Sequence, residues 1–160
     1  MPPKLRLKFD NAICKWCRSC ELICSLIHEG ECSPSLSRIT IIIDQFNAEV
    51  SADFCRQCNN PACLKSCPVE GAIIIDERTG VTSIVEDLCN GCGLCAEACP
   101  FNKDGTVIKF NPKKNVYFKC DLCGGEPACV DICPAGALKL VRVGGDDADP
   151  IRMDWKNTES

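Results

Sequence analysis

Residues 89–100 read Cys89-Asn90-Gly91-Cys92-Gly93-Leu94-Cys95-Ala96-Glu97-Ala98-Cys99-Pro100, a run of four cysteines spaced C-x2-C-x2-C-x3-C-P. Three further runs of four cysteines occur along the chain, so the sequence contains a fourfold internal repeat. In chain order, the first run is Cys14, Cys17, Cys20, Cys24, the second is Cys55, Cys58, Cys63, Cys67, the third is Cys89, Cys92, Cys95, Cys99, and the fourth is Cys120, Cys123, Cys129, Cys133. Of the 17 cysteines, Cys32 alone lies outside the runs.

The spacing of the third run is that of bacterial proteins that hold [4Fe–4S] clusters, in which the fourth cysteine ligates the other cluster of a pair. Three closely spaced thiolates can curl around one iron–sulfur cube. Gly91 and Gly93 allow the backbone to approach the sulfurs, and Pro100 turns the chain away after the run. Four runs of four thiolates match four cubes, so the sequence predicts four [4Fe–4S] clusters.

The four runs are not identical. The first has Ser25 where proline would stand, and the second and fourth widen the middle gap, while Pro68 and Pro134 keep the terminal proline. The alternative to clusters is a set of four zinc sites. Zinc favours two separated C-x2-4-C pairs held tetrahedrally, and tight runs of four cysteines fit that arrangement poorly. A brown colour and bound iron and sulfide would distinguish clusters from zinc.

Composition indicates whether these cysteines are reduced and which kinds of partner the chain could have. The 160-residue chain has a formal net charge of -4, which gives no reason to expect nucleic acid. Residues 1–9 show no leader pattern and no window reaches 18 apolar residues, so we expect a cytoplasmic protein without a membrane span. Cytoplasmic thiols stay reduced, which favours metal binding over disulfides. The odd number of cysteines also fits poorly with complete disulfide pairing.

Short strands are predicted between the runs. β-branched residues at strand spacing, bounded by turn residues, predict three hairpins and a final strand. Short helices are expected within or after the cysteine runs, and residues 144–160 are expected to form an extended C-terminal tail. The hairpins pair Arg38–Ile43 with Ala48–Ala52, Ala72–Ile75 with Val81–Val85, and Val107–Phe110 with Val116–Phe118, and the final strand is Ala137–Val141.

From about Phe9 to Val141 the chain resembles the four-cluster ferredoxin-like subunits of molybdenum and tungsten oxidoreductases. The resemblance implies an α+β fold of two nested ferredoxin-like units within residues 1–143: an outer unit of about 9–35 plus 111–143 and an inner unit of about 50–110. It also implies that the runs exchange their fourth cysteines. The implied ligand sets are Cys14, Cys17, Cys20, Cys133 (cluster 1), Cys55, Cys58, Cys63, Cys99 (cluster 2), Cys89, Cys92, Cys95, Cys67 (cluster 3), and Cys120, Cys123, Cys129, Cys24 (cluster 4).

Residues 14–28, Cys14-Lys-Trp-Cys17-Arg-Ser-Cys20-Glu-Leu-Ile-Cys24-Ser-Leu-Ile-His28, are most similar to the small subunits of tungsten aldehyde oxidoreductase-type enzymes, including benzoyl-CoA reductase complexes. The chain is also similar to the ferredoxin-like partner of carbon monoxide dehydrogenase and to dimethyl sulfoxide reductase iron–sulfur subunits. These resemblances imply an electron-transfer subunit that serves a larger catalytic subunit with a tungsten- or molybdenum-pterin site. A further electron donor or acceptor, or other copies of the chain, could also bind it.

The sequence contains no catalytic constellation of its own. With one histidine there is no triad and no H-E-x-x-H motif, and neither of the glycine-rich nucleotide-binding motifs occurs. Two alternatives to a subunit stay open, a freely diffusing polyferredoxin and a structural or assembly protein. Met153 and Trp155 in the tail favour a partner. Other residues have an ordinary interpretation, and most have a functional one as well. Cys32 is interpreted as a free loop thiol, and His28 as a surface residue at a helix end or as a hydrogen-bond donor near a cluster or a proton partner. The remaining candidates are interpreted as solvated surface charge, or as residues that meet an acidic partner or offset cluster charge: Lys15, Arg18, Arg56, Lys65, Lys113, Lys114.

Overall fold

A computed structural model of the protein describes residues 4–143, so the predicted tail with Met153 and Trp155 lies outside the described residues. Short antiparallel strand pairs alternate with short helices along the chain. The strands are β1 Lys4–Phe9, β2 Thr40–Asp44, β3 Glu49–Asp53, β4 Ile73–Ile75, β5 Thr82–Ile84, β6 Ile108–Asn111, β7 Val116–Lys119 and β8 Leu138–Val143. The helices are α1 Ser19–Glu29, α2 Ala62–Ser66, α3 Leu94–Ala98 and α4 Ala128–Ile132, with 3-10 turns at Pro34–Leu36, Glu86–Leu88 and Leu122–Gly125.

The three predicted hairpins are confirmed as the antiparallel pairs β2–β3, β4–β5 and β6–β7. The first shows why the residues alternate. Ile41 faces Ala52 across the pair and both are buried, whereas the intervening Ile42 is 40% exposed. Side chains that alternate between faces at a period of two place one face in the core. This hairpin therefore packs one face against the interior and exposes the other to solvent.

The first strand, β1, is absent from the sequence-based prediction, which considered the N-terminal residues only as a possible leader. β1 pairs with β8 in antiparallel register, with Leu7 opposite Leu140 and Phe9 opposite Leu138. Leu5, Leu7 and Phe9 are all buried, and their period of two is the local signal that indicates the strand. This pair brings the two ends of the described chain together.

The helices that follow the cysteine runs differ in length because of proline. α2, α3 and α4 each have five residues and end directly before a Cys-Pro pair, at which the cysteine takes an extended conformation. A residue before proline disfavours the helical conformation, so these helices end there. In the first run Ser25 replaces the proline, and α1 continues to Glu29, eleven residues in all. The Ser25 hydroxyl accepts a hydrogen bond from the Ser33 N–H at 3.0 Å.

The apolar interior forms two clusters of side chains, and cysteines belong to both. Phe54, Leu122 and Ile39 are each 1% exposed and lie in the larger cluster, with the β1–β8 pair. Ile73 and Ile108 lie in the smaller one, beside Cys63 and Cys95. Helix α1 packs on α4, and α2 packs on α3. No helix among residues 4–143 has the length and apolar character needed to cross a bilayer.

Candidate metal centres

Four cavities in the described chain are each lined by four cysteines, three from one run and one from another. We name each cavity after the first cysteine of the run that supplies three of its four cysteines. The Cys55 cavity contains Cys55, Cys58, Cys63, Cys99, the Cys89 cavity contains Cys67, Cys89, Cys92, Cys95, the Cys14 cavity contains Cys14, Cys17, Cys20, Cys133, and the Cys120 cavity contains Cys24, Cys120, Cys123, Cys129.

The fourth cysteine of each run lies in a cavity of another run. Cys24 lies with the fourth run and Cys133 with the first, while Cys67 lies with the third run and Cys99 with the second. These groupings are the sets that the family resemblance implies, and ligation itself stays a prediction. Helix packing explains the exchange. Because α1 packs on α4 and α2 packs on α3, the fourth cysteine of each run meets the run of the partner helix. This cysteine lies within α1 in the first run and directly after the helix in the other three.

Glycines in the third run permit a close approach of two chain segments. Gly91 has φ +73, and a Cβ atom there would lie 2.6 Å from the carbonyl oxygen of Asn115. Gly93 has φ +82, and a Cβ atom there would lie 2.9 Å from the hydroxyl of Tyr117. Trp16 and Arg18 have positive φ at the equivalent positions of the first run, so the close approach of the neighbouring atoms, rather than φ alone, favours glycine at both positions. The loop of the third run is thereby seated on the β6–β7 hairpin.

Backbone amides point at a cysteine sulfur in each cavity. The N–H groups of Arg38 and Tyr117 donate to Cys24 Sγ at 3.2 Å and to Cys89 Sγ at 3.4 Å. Those of Ala137 and Gln57 donate to Cys133 Sγ at 3.3 Å and to Cys55 Sγ at 3.5 Å. Hydrogen bonds to the sulfurs are among the protein features that tune iron–sulfur clusters. The donor pattern therefore fits thiolate sulfurs bound to iron.

Burial raises the pKa of eight of the sixteen cavity thiols, so these eight resist ionisation on their own. Burial raises the pKa of Cys20 and of Cys129 to about 12, and that of Cys95 to about 11. Cys17 is the contrast, since it is exposed and a hydrogen bond with Ser19 lowers its pKa. Buried thiols become stable thiolates when a cationic metal centre replaces their protons. The four sets of clustered thiols, most of them buried or partly buried, thus fit [4Fe–4S] clusters as ligands.

One buried cation lies at the Cys55 cavity. Lys119, the last residue of β7, donates from Nζ to Cys55 Sγ at 3.3 Å and to the carbonyl oxygen of Thr82. Burial lowers the pKa of Lys119, but the negative charges of Cys55 and Cys63 outweigh it, and the net pKa is raised. The ammonium group therefore stays charged. Sequence reasoning missed Lys119, although its place beside Cys120 was a signal.

His28 lies at the Cys120 cavity. Its Nε2 atom is 3.5 Å from Cys123 Sγ and 3.6 Å from a carboxylate oxygen of Asp121. Burial, and then Arg38, lower the pKa of His28, which favours the neutral ring. The side chain is partly buried and touches a cavity cysteine, so it is more than a surface residue at a helix end.

Of the other residues that the sequence analysis singled out, some line a cavity and others lie on the surface. Lys15 and Arg18 line the Cys14 cavity, and Arg56 lines the Cys55 cavity. Lys65 and Cys32 are exposed and are absent from the lining of all four cavities.

Comparison with known proteins agrees with this geometry. Residues 46–143 match the 4Fe-4S dicluster domain family. The polyferredoxin-like subunit of an aliphatic sulfonate oxidoreductase from Pyrococcus furiosus is 42% identical over 131 residues, which cover 80% of this chain and 72% of that protein. The formate dehydrogenase iron-sulfur subunit of Haemophilus influenzae is 41% identical over 103 residues, which cover 61% of this chain and 31% of that protein. This chain thus matches less than a third of the formate dehydrogenase subunit's length.

Solved structures give the same fold. A chain of the active site complex BamBC of benzoyl coenzyme A reductase, in complex with 1,5-dienoyl-CoA, matches 97% of this chain and 86% of its own length, with a TM-score of 0.55 and 22% identity. At this identity the likeness bears on the fold alone. The family match, the relatives and the four cysteine-lined cavities converge on one assignment. The chain belongs to the 4Fe-4S dicluster ferredoxin-like family, and it is an electron-transferring iron–sulfur subunit of the kind found in oxidoreductase complexes.

Proposed function

We propose that this chain relays single electrons through four [4Fe–4S] clusters to or from a larger catalytic subunit with a tungsten- or molybdenum-pterin site. The observation that carries the proposal is the set of four cavities, each lined by four cysteines. A bound cluster supplies a one-electron carrier, and the protein supplies ligands, burial and hydrogen bonds. We further propose that the complex works in the cytoplasm, because cysteine thiols stay reduced there.

The proposed ligands are the four cysteines of each cavity, and they imply two nested units. The outer unit comprises about 9–35 plus 111–143, and the inner unit about 50–110. Two kinds of contact support this division: the β1–β8 pair and the packing of α1 on α4 join the ends of the chain, and α2 packs on α3 between them. Residues 144–160, which lie outside the described residues, are proposed to contact a partner.

The cavities suggest one order for the electron path. Cys20 of the Cys14 cavity packs against the larger apolar cluster, which contains Cys129 of the Cys120 cavity, and α1 packs on α4, so these two cavities are neighbours. Cys55 packs against the same cluster, which also contains Cys120, and this contact links the Cys120 and Cys55 cavities. Cys63 and Cys95 lie together in the smaller apolar cluster, which links the Cys55 and Cys89 cavities. The proposed path therefore runs from the Cys14 cavity through the Cys120 and Cys55 cavities to the Cys89 cavity.

The cavities at the two ends of this path contain the most exposed of the sixteen cysteines. Cys17 in the Cys14 cavity and Cys92 in the Cys89 cavity are the exposed members of the four sets. Apolar side chains stand beside both, with Trp16 36% exposed and Leu94 42% exposed. Electrons are therefore expected to enter at one of these surfaces and leave at the other, where partners can bring their own cofactors close.

The test is anaerobic purification of the tagged chain from its native host, followed by metal analysis and electron paramagnetic resonance (EPR). We expect a larger subunit to co-purify with tungsten or molybdenum, and four cluster signals to appear on reduction and vanish on reoxidation. Migration as a lone small protein in native extract would favour a free polyferredoxin. A holoprotein whose clusters cannot be reduced would favour a structural or assembly role, and zinc in place of iron would end the cluster interpretation.

A further inference from the structure

Positive charge is distributed unevenly over the four cavities. Arg56 and Lys119 line the Cys55 cavity, and Lys4 donates to the carbonyl oxygen of Cys58 at 2.5 Å. By contrast, neither lysine nor arginine occurs among the described residues that line the Cys89 cavity. The two cavities are neighbours in the proposed path, so an electron passing between them moves between unlike electrostatic surroundings.

The remaining two cavities have cations that are exposed or already paired. In the Cys14 cavity, the side chain of Arg18 is 44% exposed and is ion-paired with Glu21. In the Cys120 cavity, Arg38 is ion-paired with Glu29 and Glu86. Charges that face solvent are screened, and paired charges are partly neutralised. Neither cavity therefore presents a buried cation that donates to a cysteine sulfur and has no carboxylate partner.

Lys119 is such a cation. It is 2% exposed, and among the described residues no carboxylate forms an ion pair with it. Its ammonium group contacts Cys55 Sγ at 3.3 Å and the carbonyl oxygen of Thr82. A buried charge acts more strongly than an exposed one because the protein interior screens it less than water does.

The physical consequence concerns reduction. Adding one electron to an iron–sulfur site makes its sulfurs more negative. A fixed positive charge and a hydrogen bond to one of those sulfurs both stabilise the reduced form, and local charge and hydrogen bonding are known determinants of these potentials. Both effects come from the same side chain at the Cys55 cavity.

We propose that Lys119 raises the reduction potential of the cluster held by Cys55, Cys58, Cys63 and Cys99, so that an electron on the chain rests there. The inference relies on the proposed ligand set for that cavity. The resting site lies in the interior of the path, one step from the Cys89 cavity and one from the Cys120 cavity. An electron can then be held within the protein until a partner is ready at either exposed end.

The experiment is an EPR-monitored redox titration of anaerobically purified holoprotein. Lys119→Met removes the buried charge at similar side-chain volume, and Lys119→Arg keeps the charge. The matched control is Lys113→Met, which removes the same charge from a side chain that is 66% exposed. For Lys119→Met we expect one signal to lose at least a factor of ten in its equilibrium constant of reduction, or about 59 mV for a one-electron couple. Lys119→Arg should keep most of the wild-type potential, and Lys113→Met should match the wild type.

Other outcomes separate this inference from the proposed function. Four reducible clusters at wild-type potentials in Lys119→Met would overturn the role of Lys119 and leave electron transfer intact. An equal decrease of all four potentials would also overturn it, since the effect would not be local. If Lys119→Met fails to retain iron, Lys119→Gln keeps a hydrogen-bond donor without the charge, and an unchanged potential in that variant refutes the inference. Failure of the wild-type clusters to be reduced would instead refute the proposed function.

Discussion

The main-chain N–H of Arg38 donates a hydrogen bond to Cys24 Sγ at 3.2 Å. Cys24 ends the first cysteine run, yet it lines the cavity of the fourth run and is 8% exposed. Arg38 lies just before β2, so the bond joins this sulfur to a segment that belongs to neither run. The sulfur is held away from its own run by contacts that no local spacing encodes.

The first prediction tests the exchange of fourth cysteines by double substitution. Cys14→Ala and Cys133→Ala are expected to remove the same [4Fe–4S] EPR signal, and the double variant should lose no further signal. Cys14→Ala combined with Cys24→Ala should lose two signals, because these residues line different cavities. Residues that act as one unit give non-additive effects, whereas separate units add.

Cys32→Ser is the control for these variants. Cys32 is exposed and lies outside the four cavities, so we expect unchanged iron and sulfide content. If Cys14→Ala and Cys24→Ala removed one and the same signal, the run would hold its own fourth ligand, and the proposed exchange would be wrong.

The second prediction concerns the apolar interior and compares two phenylalanines. Phe54 is 1% exposed within the larger cluster of apolar side chains, whereas Phe46 in the β2–β3 turn is 101% exposed. Phe54→Ala is expected to lower the free energy of unfolding by about 3–5 kcal/mol, because truncation leaves a cavity. Anaerobic urea unfolding followed by far-UV circular dichroism measures this. Phe46→Ala should unfold at the wild-type urea concentration, and equal losses in both variants would contradict the burial seen here.

The sequence predicted those features that depend on residues close together in the chain. Cysteine spacing indicated the clusters, and alternating residues such as Ile41 and Val50 indicated the hairpins. It failed where the partner is distant: β1 pairs with β8, and Leu7 meets Leu140 only after the chain has folded. Lys119 was missed for the same reason, since Cys55 lies 64 residues away in sequence. The grouping of Cys24 with the fourth run came from family resemblance and could not be obtained from spacing.

The third prediction concerns an ion-pair network around the buried side chains of Arg38 and Glu29, which joins the end of α1, the segment before β2, the Glu86–Leu88 turn and the β6–β7 turn. Arg38 pairs with Glu86 at 2.6 Å and with Glu29 at 3.5 Å, and Lys114 pairs with Glu29 at 2.8 Å. Arg38→Met leaves the carboxylate of Glu29, whose side chain is 5% exposed, with Lys114 as its remaining ion-pair partner among the described residues. Removing one member of a buried pair is expected to destabilise the fold by about 3–5 kcal/mol.

Lys113→Met is the matched control for the network. Lys113 and Glu31 also lie 2.6 Å apart, but their side chains are 66% and 45% exposed, and surface pairs contribute about 0–1 kcal/mol. Urea unfolding of the two variants under identical anaerobic conditions provides the comparison. A loss as small for Arg38→Met as for Lys113→Met would mean that burial does not strengthen this network.

The fourth prediction is that removal of the clusters unfolds much of the chain. Both apolar clusters of side chains include cavity cysteines, among them Cys129 in one and Cys95 in the other, so the apolar interior continues into the metal sites. Without iron, the thiols line four neighbouring cavities, and no metal centre links the chain segments that carry them. We therefore expect much of the chain to unfold.

Oxidative cluster removal with a chelator, followed by reduction of the thiols, should expand the chain. Small-angle scattering is expected to give a radius of gyration well above the roughly 15 Å of a folded globule of this length, towards the about 42 Å of an unfolded chain. A cluster-free protein that stays compact with native circular dichroism would instead show that apolar packing around residues such as Phe54 and Phe118 suffices, and that the clusters serve electron transfer alone.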